Sequence, residues 1–166
     1  MPGPAGASYV TPAQLTQYLP ASVLNLATGA QQTQACADAT DMADACMRGR
    51  FNVDPLLAWD NSITRNTAAI AVYLLMDGPI GWGAMAGSDR NIRQAYARAM
   101  GGPDPDNPAF IHPGFFPGIQ RQNTHPLVTE TPAAGADPLH DAPQVRSDPS
   151  RGWQQFQNGR PAVGGF

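Results

Sequence analysis

The longest helical pattern in the chain lies between Thr33 and Phe51. Small and apolar side chains recur within it at steps of three and four residues, which is the spacing of one helix face. These positions are Cys36, Ala39, Ala43, Cys46 and Met47. Asp38, Asp41 and Asp44 lie on the other side, which indicates a solvated acidic face. Gly49 is well placed to end the helix, because glycine adopts the left-handed conformation that follows many helix ends.

Three further segments predict helices. Thr11-Pro12-Ala13-Gln14 has the residue types of a helix start, and this first helix should run to about Leu19. The segment from Asn61 to Met76 carries the most hydrophobic face and should form the most buried helix. Ser88-Asp89 should cap a fourth helix that ends at Met100.

Two short apolar stretches give weaker signals. The residues from Val23 to Ala27 fit either a helical turn or a short extended piece, and Gly29 is expected to interrupt them. Pro55-Leu56-Leu57 predicts a turn that leads into another helix. After Gly102 no helical or strand period of useful length is found.

Proline and glycine divide the chain into two parts. Residues 101–166 hold eleven of the 17 prolines and nine of the 17 glycines, a share typical of extended rather than globular segments. We therefore predict a helical body over residues 1–100 and an extended C-terminal arm over residues 101–166. The fold class expected is all-α, a small bundle of about four helices followed by a long arm rich in proline and glycine.

The charge pattern argues against several functions. The formal net charge is −3, lysine is absent, and the ten basic residues are all arginine. Nothing in this pattern provides the basic patch of a sequence-independent DNA-binding protein. The first ten residues lack the features of a signal peptide, and the apolar run from Ala68 to Met76 is too short to span a bilayer. We expect synthesis in the cytoplasm and no membrane contact.

The sequence offers little catalytic or metal-binding chemistry. Cys36 and Cys46 are about 15 Å apart along one predicted helix, too far for a disulfide, and both are interpreted as small buried residues. His112, His125 and His140 lack the close pairing of zinc ligands. No phosphate-binding loop or nucleophile elbow is present. We therefore expect no catalytic residue, no metal, no cofactor and no enzyme activity.

The large apolar residues of the predicted arm are separated by prolines, which is typical of a segment that docks into grooves of another protein. The predicted docking residues are Phe110, Ile111, Phe115, Phe116, Trp153, Phe156 and Phe166. The exposed arginines of two predicted helices are interpreted as subunit contacts. These are Arg48, Arg50, Arg90, Arg93 and Arg98.

Short motifs of the body occur in an order typical of one family. They are, in chain order, Ser8-Tyr9-Val10-Thr11 with Leu15, Leu24-x-Leu26, Arg48-Gly49-Arg50-Phe51, Pro55-Leu56-Leu57 and Ile70-Ala71-Val72-Tyr73-Leu74. On these motifs, residues 8–100 resemble the small head–tail connector (adaptor) proteins of tailed phages, including the Mu-like connector type. Such connectors usually carry more lysine and glutamate, and the long arm has no counterpart in their pattern.

The resemblance implies a structural virion protein: a subunit of a ring, commonly of twelve copies, that lies between portal and tail and continues the DNA channel. Its partners would be the portal protein, neighbouring copies and a tail-side neck or tail terminator protein. DNA would pass through without specific binding, and the location would be the virion neck. Two alternatives stay open, a head-completion or tail-completion protein of the same neck region, and a small regulatory or DNA-handling protein with a disordered tail.

Overall fold

The structure, a computed structural model, describes residues 8–51, 53, 56–84 and 89–130. Six helices occur in this part of the chain: α1 (Pro12–Leu15), α2 (Ala21–Leu24), α3 (Gly29–Met47), α4 (Asn61–Asp77), α5 (Asp89–Met100) and α6 (Phe115–Gln120). Four short strands accompany them: β1 (Leu56–Trp59), β2 (Gly102–Pro103), β3 (Ile111–His112) and β4 (Val128–Glu130). The predicted helical character is confirmed, but the fold is not purely helical.

Helix α3 begins earlier than the sequence pattern predicts. Thr28 and Gln31 form a capping box, in which Gln31 Oε1 accepts a hydrogen bond from Thr28 N at 2.8 Å and Thr28 Oγ1 accepts one from Gln31 N at 3.3 Å. Gly29 is therefore the first residue of the helix, and the expectation that it interrupts the chain is wrong. Since α2 also forms, the ambiguous stretch from Val23 to Ala27 begins as a helical turn.

Helix α4 forms the centre of the fold because it packs against both α3 and α5. Nine of its residues are buried, more than in any other helix of the described residues, which confirms the prediction for this segment. Ile63, Ile70, Leu75 and Met76 are all fully or almost fully enclosed. No helix in the described part of the chain is long and apolar enough to cross a membrane.

Asp60 joins the start of α4 to a distant part of the chain. Its Oδ1 atom accepts hydrogen bonds from Ser62 N at 2.9 Å and Ile63 N at 3.3 Å, so it caps the helix. Its Oδ2 atom accepts a hydrogen bond from Leu127 N at 3.0 Å, just before β4. Burial raises the pKa of Asp60, but the hydrogen bonds together lower it below its usual value.

Replacing Asp60 by alanine is expected to lower the free energy of unfolding by about 1–2 kcal/mol at neutral pH, because α4 loses its cap. The lowered pKa makes this loss depend on pH. The contribution is complete above the ordinary aspartate pKa of about 4 and disappears as the pH falls through the lowered value. Urea unfolding of wild type and variant at about pH 7 and about pH 2 measures both effects. An equal loss at the two pH values would contradict this assignment.

The chain keeps regular structure well beyond Gly102. Residues 101–130 contain β2, β3, α6 and β4, and they belong to the same compact unit as the helices. Phe116 and Ile119 of α6 are fully buried, where α6 packs against α3 and α5. The expectation of no helix or strand after Gly102 is therefore wrong for the residues up to Glu130. Residues 131–166 lie outside the described residues, and their extended form stays a prediction.

The segment after the long helix is a strand and not the start of another helix. Strand β1 pairs with β4 in an antiparallel sheet in which Trp59 lies opposite Val128 and Ala58 opposite Thr129. A second sheet joins β2 and β3, with Gly102 opposite His112. The helix predicted to follow Pro55-Leu56-Leu57 begins only at Asn61, because β1 is held in the extended form by its partner strand.

Candidate interaction surfaces

A β-hairpin formed by β2 and β3 presents apolar side chains to solvent. Phe110 is 50% exposed and Ile111 is 60% exposed, although large apolar side chains usually avoid water. The Phe110 ring lies edge-on to the His112 ring, with 4.9 Å between their centroids. Both exposed residues belong to the predicted docking set, and the structure places them side by side at one end of the hairpin.

Asp104 fixes the shape of this hairpin from inside. Its Oδ1 atom accepts a hydrogen bond from Asp106 N at 2.8 Å, and its Oδ2 atom accepts one from Gln94 Nε2 of α5 at 3.0 Å. His112 Nε2 lies 2.7 Å from the same Oδ2 atom. Hydrogen bonds from Gln94, from the Asp106 backbone and from His112 hold the pKa of Asp104 far below its usual value. The hairpin is therefore an anchored platform under Phe110 and Ile111.

Two further features fasten the hairpin to the helical body. Arg90 of α5 forms an ion pair with Asp106, whose charge and hydrogen bond raise the pKa of Arg90. Gly114 has φ of 77°, and a Cβ atom there would lie 2.6 Å from Gly101 N, so only glycine allows the chain to pass this closely. Arg90 thus has an ion-pair partner within its own chain. The sequence had predicted a contact with another subunit instead.

A groove of about 750 Å³ lies between α4 and α5. Tyr18 and Phe115 line it with aromatic side chains, and Arg65 and Arg98 line it with cationic ones. Tyr18 is 38% exposed. Arg65 is not among the predicted site residues, although an arginine between apolar positions of a buried helix is a signal for it. We call this surface the α4–α5 groove.

The other predicted subunit-contact arginines differ in their surroundings. Arg50 Nη1 donates a hydrogen bond to the carbonyl of Thr124 at 2.9 Å, and its guanidinium also contacts His125. The Arg93 guanidinium lies 4.1 Å from the centre of the Trp82 ring, a cation–π contact. Arg48 and Arg98 are exposed and have no hydrogen-bond or ion-pair partner among the residues that the structure describes. Arg50 and Arg93 therefore hold their own chain together.

The predicted acidic face of α3 is present in part. Asp38 and Asp41 are exposed, and Gln34 Nε2 donates a hydrogen bond to Asp38 Oδ1 at 2.7 Å. Asp44 differs because it accepts a hydrogen bond from the Tyr9 hydroxyl group, so it is not a purely solvated residue. This bond links α3 to the start of the described chain.

The predicted docking residues of α6 are not free for a partner. Phe116 is fully buried in the core, and the prediction that it docks into another protein is wrong, because α6 folds its ring against α3 and α5. Phe115 is half-buried, contacts the Phe116 ring and lines the α4–α5 groove. The remaining predicted docking residues, Trp153, Phe156 and Phe166, lie outside the described residues.

The described residues contain no group of three or more histidine, cysteine or acidic side chains that could hold a metal ion. Cys36 is buried, and burial raises the pKa of its thiol to about 11. Cys46 is only half-buried, although both cysteines were expected to be buried, and burial raises its pKa as well. Both thiols are free and protonated at neutral pH, which makes them poor nucleophiles.

Comparison with known proteins identifies the class of protein. The model of one family, described as Bacteriophage Mu, Gp36, matches residues 9–101, more than half of the chain. The protein is therefore a phage-related protein. It belongs to the Bacteriophage Mu, Gp36 family, which confirms the Mu-type phage resemblance of its motifs. No curated protein and no solved structure matches the chain.

Proposed function

We propose that the protein is a head–tail adaptor of a tailed phage, a structural virion protein whose copies form a ring between the portal and the tail. The observation that carries this proposal is the family match over residues 9–101, together with the adaptor-type motifs in the same range. A helical body with a small core fits such a subunit, because burial between subunits adds to the stability of a ring.

The charge of the chain also favours this function. Twelve copies with a formal net charge of −3 each would carry about −36, which repels DNA and lets it slide through a channel. DNA would therefore pass without being held. The partners we propose are the portal protein, neighbouring copies and a tail-side neck or tail terminator protein, and the location we propose is the virion neck.

Two parts of the chain are proposed to contact the portal. One is residues 131–166, with Trp153, Phe156 and Phe166 as aromatic anchors of the kind that fills grooves on a partner. The other is the exposed end of the β2–β3 hairpin, where Phe110 and Ile111 are held on an anchored platform. A preformed platform loses little conformational entropy on binding.

Co-expression with the portal protein of the same phage tests this proposal. The full chain should be recovered with purified portal rings, and a chain that ends at Thr131 should be recovered at most weakly. Replacing both Phe110 and Ile111 by serine should weaken the complex about tenfold or more, because two apolar anchors are lost. Serine at Leu26, which is 59% exposed but far from the hairpin in sequence, serves as the matched control and should change nothing.

The outcomes separate the parts of the proposal. Full recovery of the chain that ends at Thr131 would show that residues 132–166 are not needed to bind the portal. Equal recovery of the hairpin variant and the Leu26 variant would show that the hairpin is not part of the interface with the portal. If even the full chain is never recovered with portal rings, the adaptor function itself is contradicted.

A further inference from the structure

The α4–α5 groove has an apolar floor with small side chains, which a helix of another molecule could approach closely. Ala69 and Val72 of α4 and Ile92 and Ala95 of α5 line it, and all four side chains are buried or half-buried. Alanine at two of these positions leaves space, so another helix could approach closely. The floor alone does not specify what occupies the groove.

The edge of the groove is cationic. Arg65 and Arg98 line it from different helices, both side chains are exposed, and neither has a hydrogen-bond or ion-pair partner in the described part of the chain. The other polar lining residues are uncharged, namely Asn61, Ser62, Asn66 and Asn91. Because no carboxylate of the described residues lines the groove, nothing in this part of the chain neutralises its positive charge. The groove therefore suits an occupant that carries carboxylates.

The outer face of α3 supplies such carboxylates. Its exposed side chains recur at helical spacing, as Gln31, Gln34, Asp38, Asp41 and Ala45. Asp38 and Asp41 are about 4.5 Å apart along the helix axis, and no basic residue lies on this face before Arg48. Small and polar side chains around the two aspartates would not obstruct insertion into a groove. We call these five residues the α3 face.

The α3 face lies outside the α4–α5 groove of its own chain. No residue of α3 lines the groove, since the described groove residues come from α4, α5, Tyr18 and Phe115. A groove on one copy and a complementary face elsewhere on the same copy make a heterologous contact, which can repeat from subunit to subunit and close into a ring.

We propose that the α4–α5 groove binds the α3 face of a neighbouring copy, with Arg65 and Arg98 next to Asp38 and Asp41. This contact rests on the proposed adaptor ring and assigns the surfaces that join its subunits. The apolar floor and the helix supply contact area, and the charges fix the register and exclude wrong partners. Because the four charged side chains are exposed, the contact should weaken as the salt concentration rises.

A charge exchange tests the contact. Asp41→Arg and Arg98→Asp should each weaken self-association of the full chain about tenfold or more, because each places like charges together. The variant that carries both changes should recover to within about threefold of wild type, since the pair is restored with its signs exchanged. Sedimentation velocity at low salt over a range of protein concentrations measures these constants. Asn123→Asp, on an exposed turn outside both surfaces, is the control and should associate normally.

Each of several results would overturn the contact. One is association of both single variants as tightly as wild type. Another is failure of the double variant to recover although circular dichroism shows that it is folded. A third is a wild-type chain that stays monomeric with and without portal rings. A ring seen on portals whose formation ignores both charge changes would overturn this contact and leave the adaptor function standing. Charge changes that alter portal binding but not self-association would assign the groove to the portal instead.

Discussion

A chain that ends at Gly102 should lose the native fold of its helical body. Such a chain lacks Phe116 and Ile119, which are fully buried against α3 and α5. Removing one large core side chain costs about 2–5 kcal/mol, and a domain of this size has only about 5–15 kcal/mol of stability. It also lacks β4, the partner of β1, and the carbonyl group of Thr124 that binds Arg50.

Circular dichroism and urea unfolding measure this effect. The chain that ends at Gly102 should show reduced helicity and no cooperative transition. A chain that ends at Thr131 keeps every described element and should unfold cooperatively with nearly the stability of the full protein. Cooperative unfolding of the shorter chain at wild-type urea concentrations would contradict the role assigned to residues 101–130.

Phe116→Ala should destabilise the protein by about 3–5 kcal/mol, which is the usual cost of removing a buried phenylalanine ring. The ring is fully buried in the core. It is carried by a helix of only six residues. The loss should appear as a lower urea midpoint with an unchanged slope.

Phe110→Ala is the matched control for this change. It removes the same side chain from a position that is 50% exposed, and it should cost less than about 1 kcal/mol. Both phenylalanines belong to the docking residues predicted from the sequence. Equal destabilisation by the two substitutions would contradict the difference in burial between the two side chains.

The long periodic helices could be predicted from the sequence because local signals and packing agree there. Helix α4 runs from Asn61 to Asp77, one residue beyond the predicted end, and α5 ends at Met100 as predicted. The early start of α3 was also readable, since Thr28 and Gln31 have the spacing of a capping box. Gly29 obscures this signal, because glycine is a poor helix former.

The structure between Gly101 and Glu130 could not be found in this way. Helix α6 has six residues, and both Pro117 and Gly118 are poor helix formers, so its sequence lacks a helical period. Its formation depends on burial of Phe116 and Ile119 against distant helices. The short strands are likewise set by pairing partners far away in sequence, as β1 and β4 show.

The interaction surfaces were only partly readable for a similar reason. A sequence shows that an arginine is on the polar side of a helix, but not whether an acidic or aromatic side chain of another element lies within contact distance. Arg90 and Arg93 find Asp106 and Trp82 through tertiary folding, whereas Arg98 does not find a partner among the described residues. Phe110 and Phe116 are six residues apart and differ completely in exposure, which only the packing of α6 decides.

The adaptor function is tested most directly by an electron cryomicroscopy map of the neck of the assembled phage particle. We expect the described part of the chain, between residues 8 and 130, to fit a ring of density between the portal and the tail, with the DNA channel on its axis. Density for this part of the chain at the capsid surface or the tail tip, or a neck ring that fits only other proteins, would contradict the proposed function.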